Sequence, residues 1–254
     1  MTIQEKAEAL LVEANCCCSV LCQGLDDAEP LISVNPDAAF SSASVIKVPI
    51  FMALISSCGR GPLRMEQTVD VTHILDDTQA FEGGPRKASL RELAVWMTVI
   101  SDNTSTNALI DMLGFQQIND FTASLGLRQT KLRRKMLDFA SREAGIDNVT
   151  SARDMFALFM FMFGEGGREF SEAVEILRRQ RSHNMLTRYI WEDVAFAHKT
   201  GGLDYLSHDA GVFTIKDKNV FAGVFLWDTP DKKGDGRLIG RIGRMVYDYY
   251  AYGG

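Results

Sequence analysis

Strand-like segments lie towards both ends of this 254-residue chain, and the long middle is patterned as helix. A two-stranded hairpin is marginal in water unless further strands or a helix cover it, so strands from the two ends are expected to meet in one sheet. The middle must then leave that sheet and return to it as an inserted block. Residues 16–21 and 31–34 read as strands across a turn at 23–29, and residues 194–199, 211–216 and 220–227 read as three more. Ile3, Ala7, Leu10, Leu11 and Ala14 recur at helical spacing, and a second helix is expected over 238–250 after a turn at 228–236. The expected fold is α/β of the α+β kind: an antiparallel sheet with flanking terminal helices, built from 1–59 and 188–254, and an all-helical lobe at 60–187. The crevice between the lobes is the natural place for a site.

The middle carries clear start and stop signals. Ser89-Leu-Arg-Glu92 is a capping box, and Leu90, Leu93, Ala94 and Met97 form the apolar face of the helix it opens. Helices over 104–113 and 116–125 stop at Gly114 and Gly126, and Ser151 with Asp154 opens another that the glycines at 164–167 break before a helix at 169–179. Residues 61–84 are irregular, and 132–148 read as a loop.

Composition narrows the partners. At 46% hydrophobic residues the chain can bury a full core, and its net charge of -6 gives no basic surface for nucleic acid or an acidic membrane. A small-molecule substrate is expected, with no feature setting an oligomeric state. Five cysteines, three of them consecutive at Cys16, Cys17 and Cys18, make a poor disulfide framework and read as reduced core thiols. Charges throughout the first residues argue against a signal peptide, and no run is expected to reach the length of a membrane span, so the expectation is cytoplasmic. His73, His183, His198 and His208 show no zinc-ligand spacing, and no cofactor is expected. On a strand, His198 points away from its neighbour Lys199, while His208 and Asp209 are candidates for the crevice rim.

The chemistry-bearing stretch runs from Phe40 to Phe51, where a loop of small polar residues enters an apolar segment. If that segment is a helix, Ser44 lies in its first turn and Lys47 comes round beside it. A serine hydroxyl needs a neighbour to take its proton, and lysine can do so when burial or another cation lowers its pKa. Ser101-Asp102-Asn103 falls between two expected helices, and Lys199-Thr200-Gly201 ends an expected strand and is followed by Gly202.

Ser-x-x-Lys, Ser-Asp-Asn and Lys-Thr-Gly in this order resemble the motifs of class A β-lactamases and penicillin-binding proteins. The likeness extends from about Ser41 to the C-terminal helix, and Ser101 to Asn107 has the class A form. The resemblance implies Ser44 as nucleophile, Lys47 as base and Ser101 as proton relay to the leaving group. It makes Asn103 a ligand of the substrate amide, and Lys199 with Thr200 the holders of its carboxylate or groups that tune Ser101. Gly201 completes the third motif, and the Ser44 and Gly202 N–H groups would form the oxyanion hole, with Asp102 a structural turn carboxylate. One segment departs: where class A enzymes carry Glu-x-x-Leu-Asn, Met136 falls near the glutamate's place, and Asp138 and Glu143 are the nearest carboxylates. The expectation is a serine hydrolase that cleaves an amide, lactam or ester through an acyl-enzyme on Ser44 with poor β-lactam turnover. The alternatives are a non-turnover, penicillin-binding-like binder or pseudoenzyme, and a glutaminase-like amidase.

Overall fold

The computed structural model describes residues 1–61, 63–229 and 232–253. Thr2 and Glu5 form a capping box on α1 (Ile3–Ala14), which leads to β1 (Cys17–Gly24), β2 (Ile32–Val34) and the short β3 (Phe40–Ser41). A single 3₁₀ turn at Ala43–Ile46 runs directly into α2 (Lys47–Arg60). After β4 (Thr68–Val71) and β5 (Arg86–Ser89) come α3 (Leu90–Val99), α4 (Asn103–Leu113), α5 (Phe115–Ser124) and α6 (Phe139–Glu143). Next are β6 (Val149–Thr150), α7 (Ala152–Phe163) and α8 (Gly167–Leu177). The chain closes with β7 (Ala195–Leu203), β8 (Leu206–Ile215), β9 (Lys218–Trp227) and α9 (Lys232–Tyr252).

The main sheet has the order β2-β1-β9-β8-β7, antiparallel throughout. β1 pairs along its whole length with β9, from Cys17 opposite Trp227 to Gly24 opposite Val220, so the sheet is assembled from both ends of the chain as expected. Each face buries its own apolar core. On one face Ala7 and Leu11 of α1 and Ile239, Ile242 and Val246 of α9 pack with Val20, Phe213 and Val224. On the other, Leu21, Val212, Phe221 and Phe225 meet α2, α3, α4, α7 and α8. α2 is apolar on all sides and buried from Lys47 to Ser56; each large side chain it buries is worth roughly 1.5–3 kcal/mol over exposure.

Several expectations need correction. β8 begins five residues earlier than its apolar pattern, because Ser207, His208 and Asp209 are buried polar residues that hide the strand. β1 extends through Gly24 into the expected turn, and β4, β5, β3, β6 and α6 lie in stretches read as irregular or unassigned. α9 starts at Lys232 and takes in much of the expected 228–236 turn, of which Pro230 and Asp231 lie outside the described residues. The cysteines are free, yet only Cys22 is fully buried, and Cys17 is exposed. The segment Ala43–Arg60 does have the length and hydropathy to cross a membrane, contrary to the sequence reading, and 67% of it is buried inside the fold.

Candidate active site

Three chain segments bring their polar residues together against the start of α2. The α3–α4 connection is shaped by Asp102, which caps α4 by accepting from the Ser105 amide at 2.7 Å and also receives the Thr78 and Ser105 hydroxyls. This cap leaves Ser101 in the left-handed region with φ 60°, and Ala43, just before Ser44, has φ 42°. Such backbone costs of order 1–3 kcal/mol per residue and persists only where the surroundings impose it. The result is that Ser101 turns both its carbonyl and its hydroxyl towards Lys47.

Lys47 and Lys199 are each 1% exposed. Lys47 Nζ lies 2.6 Å from Ser101 O, 2.7 Å from Asn103 Oδ1 and 3.1 Å from Ser101 Oγ. Lys199 Nζ approaches the same Ser101 Oγ at 3.0 Å and donates to Thr200 O at 2.9 Å. The Asn103 amide donates to Asp77 at 2.6 Å, which turns its oxygen to Lys47. Burial pushes the Lys47 ammonium well below its ordinary pKa, Lys199 pushes it further, and Asp102 and Asp77 oppose the shift. Burial lowers Lys199 to about 7, with Asp209 opposing. Ser101 O and Asn103 Oδ1 can only accept, so they consume two N–H groups of Lys47. In its neutral form Lys47 would have a lone pair left for the Ser101 hydroxyl, which would in turn accept from Lys199.

Ser44 sits in the 3₁₀ turn ahead of α2 rather than in its first turn, and it is half-buried. β7 presses against this turn at Gly201, where a methyl group would stand 3.1 Å from the Ser44 nitrogen and 3.3 Å from Ala43 Cβ. Glycine is what lets the strand come this close. Lys199, Thr200, Gly201 and Gly202 all lie within β7, three residues or more beyond the strand end expected from the pattern for the last of them. β7 is an edge strand of the sheet.

The 128–150 segment closes over this region. Asn107 on α4 grips Met136 by both backbone groups, accepting its N–H at 2.8 Å and donating to its carbonyl at 3.2 Å. Met136 is 8% exposed. Asp147 takes Arg134 at 2.8 Å and the Ser41 hydroxyl at 2.6 Å, tying the segment to the strand that leads to Ser44. Asp138 caps α6 through the Ser141 hydroxyl and amide, which hold its carboxyl below its ordinary range, and Glu143 is exposed. Among the described residues, no cluster of three or more His, Cys, Asp or Glu side chains could hold a metal ion.

The profile of the beta-lactamase enzyme family matches residues 2–250. The chain belongs to that family. It is 22% identical to the extended-spectrum beta-lactamase PER-1 of Pseudomonas aeruginosa, across 97% of this chain and 87% of that one. A beta-lactamase from Chitinophaga pinensis has the same fold, with a TM-score of 0.90 at 21% identity over 97% of this chain and 98% of the other. PBP-A is similar too, with a TM-score of 0.86 at 24% identity over 98% and 95% of the two chains.

Within this family framework, three features went unread in the sequence. Asp77 lies in an irregular stretch with no signal to mark it. The Asn107 grip on Met136 was detectable only as an asparagine one helical turn after Asn103. His208, a candidate for the crevice rim, is instead fully buried opposite Gly201, with Nε2 2.8 Å from Ser41 O and the ring edge-on to Phe40. A carbonyl only accepts, so Nε2 carries the hydrogen and holds the strand leading to Ser44.

Burial pushes the His208 pKa down to about 4. The unfolded chain therefore binds the extra proton first, and stability falls as pH drops from the ordinary histidine value to that of the folded state. At about 1.4 kcal/mol per unit, this removes roughly 3 kcal/mol. His208→Gln keeps an N–H for Ser41 O and lacks the titration, so urea midpoints at pH 7 and pH 4.5 should differ less than in the parent. An equal acid loss in both proteins would show that another group is responsible.

Proposed function

We propose that the protein is a serine hydrolase that opens an amide, lactam or ester bond by forming an acyl-enzyme on Ser44. The observation that carries this reading is the convergence of two buried lysines on one hydroxyl, Lys47 at 3.1 Å and Lys199 at 3.0 Å from Ser101 Oγ. The reaction lies, in this reading, in the crevice between the helical lobe and the sheet. Ser44 Oγ attacks the carbonyl carbon while its proton passes to neutral Lys47. As the bond to the leaving nitrogen or oxygen breaks, Ser101 gives that atom its proton and regains one from Lys47. Lys199, in its ammonium form, supports the charge that builds on Ser101. Asn103 and the β7 edge at Thr200 and Gly201 position the substrate, and the Ser44 and Gly202 N–H groups are aimed at the oxyanion.

A β-lactam is the first substrate class to test, since PER-1 is described as an extended-spectrum beta-lactamase and PBP-A, as its L158E mutant, as an acyl-enzyme complex with penicillin G. Release of the acyl group needs a base for the attacking water. Asp138 is committed to capping α6 and Glu143 is exposed, which leaves Lys47. The apolar Met136 side chain supports slow release, and it favours a second reading: a penicillin-binding-like protein that is acylated without turnover.

Intact-mass analysis after incubation with penicillin G should show one adduct, mapped to Ser44 and absent from Ser44→Ala. A nitrocefin and p-nitrophenyl ester panel then separates the readings, because only a hydrolase gives multiple turnovers. No adduct from penicillin or a fluorophosphonate, together with no ester cleavage, sinks both.

A further inference from the structure

A carboxylate that no step of acyl transfer uses stands at the α4 edge of the site. Asp77 accepts a side-chain N–H of Asn103 at 2.6 Å, while Asn103 Oδ1 accepts from Lys47 Nζ at 2.7 Å. Asn103 is half-buried and Asp77 is exposed. The chain on either side of Asp77 is anchored to the same α3–α4 connection: the Leu75 N–H donates to Thr104 Oγ1 at 3.0 Å, and Asp102 receives the Thr78 hydroxyl and the Ala80 N–H, the latter at 3.4 Å. Asp77 is therefore held in one place, and among the described residues its one hydrogen bond is to Asn103.

Fixing Asn103 does not require a charge. Lys47 already orients the amide by donating to its oxygen, and a neutral side chain at position 77 could accept the outer N–H as well. The carboxylate is also a burden on the site, because it opposes the fall in pKa that suits Lys47 to take a proton. What the fold leaves unexplained, an incoming cation accounts for. A side-chain amide offers two hydrogens; Asp77 takes one, and the other is left for the carbonyl oxygen of the substrate amide. Two acceptors on one nitrogen stand roughly 5 Å apart, and an ammonium on the carbon next to that carbonyl fits between them. We infer that Asp77 is a specificity-determining residue for the Ser44 reaction, selecting substrates that carry an ammonium group beside the amide held by Asn103.

The other charges nearby sharpen this preference. Asp76, the preceding residue, is exposed and has the same sign, so a substrate carboxylate at the same carbon meets repulsion. Lys47 and Lys199 are each 1% exposed and converge on Ser101. They act on the part of the substrate nearest Ser101, which is common to substrates that differ only at the carbon beside the amide. An ion pair at an exposed carboxylate changes a rate by up to about fivefold and weakens with salt.

The inference rests on the acylation reading, and the test separates the two. The rate of Ser44 acylation is followed by intact mass at about pH 6.5, where an α-amine is protonated. Three penicillins that differ at one carbon are compared: penicillin G carries hydrogen there, ampicillin an ammonium and carbenicillin a carboxylate. The parent should favour ampicillin, then penicillin G, then carbenicillin. Asp77→Asn keeps an acceptor for Asn103 and removes the charge, so its ampicillin-to-penicillin G ratio should be about fivefold lower than the parent's. Asp77→Lys should favour carbenicillin over ampicillin. Raising sodium chloride from about 50 mM to about 500 mM should lower the ratio in the parent and leave it unchanged in Asp77→Asn. A merely structural role slows all three reagents by one factor, so equal ratios in parent and Asp77→Asn overturn the inference, as does a parent ratio that ignores salt. If Asp77→Lys does not fold, Asp77→Asn and the salt series decide. A parent that none of the three acylates overturns the acylation reading and this inference together, whereas an acylated parent with unchanged ratios overturns this inference alone.

Discussion

Lys47→Met is expected to slow acylation of Ser44 by roughly 10³-fold, within the 10²–10⁴ that a positioned general base contributes. Methionine fills a similar space on α2 but cannot take a proton. The variant leaves Ser101 O and Asn103 Oδ1 without their donor, and it also removes an amine that folding must strip of water, so the melting temperature should change far less than the rate. Lys47→Arg separates charge from basicity, because a guanidinium stays protonated at every working pH. Both variants should fall together when the second-order labelling rate is measured on folded protein. An arginine variant that reacts at near the parent rate would show that Lys47 supplies charge and that another group takes the Ser44 proton.

Met136→Glu is expected to act on the other half of the reaction and shorten the life of the acyl-enzyme by roughly 10²-fold or more. Asn107 holds both backbone groups at this position, so a new side chain inherits a fixed origin. The parent has a buried apolar thioether at this position; in the variant a carboxylate there is expected to orient a water and take its proton. Penicillin G is added, the excess is removed, and the adduct on Ser44 is followed by mass against time, with nitrocefin turnover as the parallel reading. Equal adduct lifetimes in parent and variant would mean that position 136 does not face the ester. The acylation rate should change little.

Legibility in the sequence followed burial pattern. α1, α3 and α7 were readable because their apolar faces repeat at helical spacing and their caps are spelled out, as at Ser89 and Glu92, and β9 because it is a continuous apolar run. β8 was half hidden, since Ser207, His208 and Asp209 are polar residues in buried places and tertiary context overrode their usual preference. The motif residues were legible as a set, but their geometry was not. Nothing in Ser101-Asp-Asn announces that Asp102 would force a left-handed Ser101, or that two lysines would share its hydroxyl. Those facts depend on pairings far apart in sequence, which local pattern does not encode.

The pairing of β1 with β9 sets an order of events in folding. Residues 20–22 can pair with β2 early, but the full length of β1 is paired only when residues 220–227 have been made, and closing so long a loop is slow because chain entropy is lost before any contact forms. α2, α3 and α4 can gather Lys47, Ser101 and Asn103 earlier, from contacts nearer in sequence. Lys199 arrives on β7, which is joined to β1 only through β8 and β9. A nascent chain therefore carries one lysine of the pair long before the other, and the two meet only after β7 has been made. Until then β1 waits with an open edge and free thiols, which makes the interval before β9 emerges the time when this protein is most exposed to misassembly.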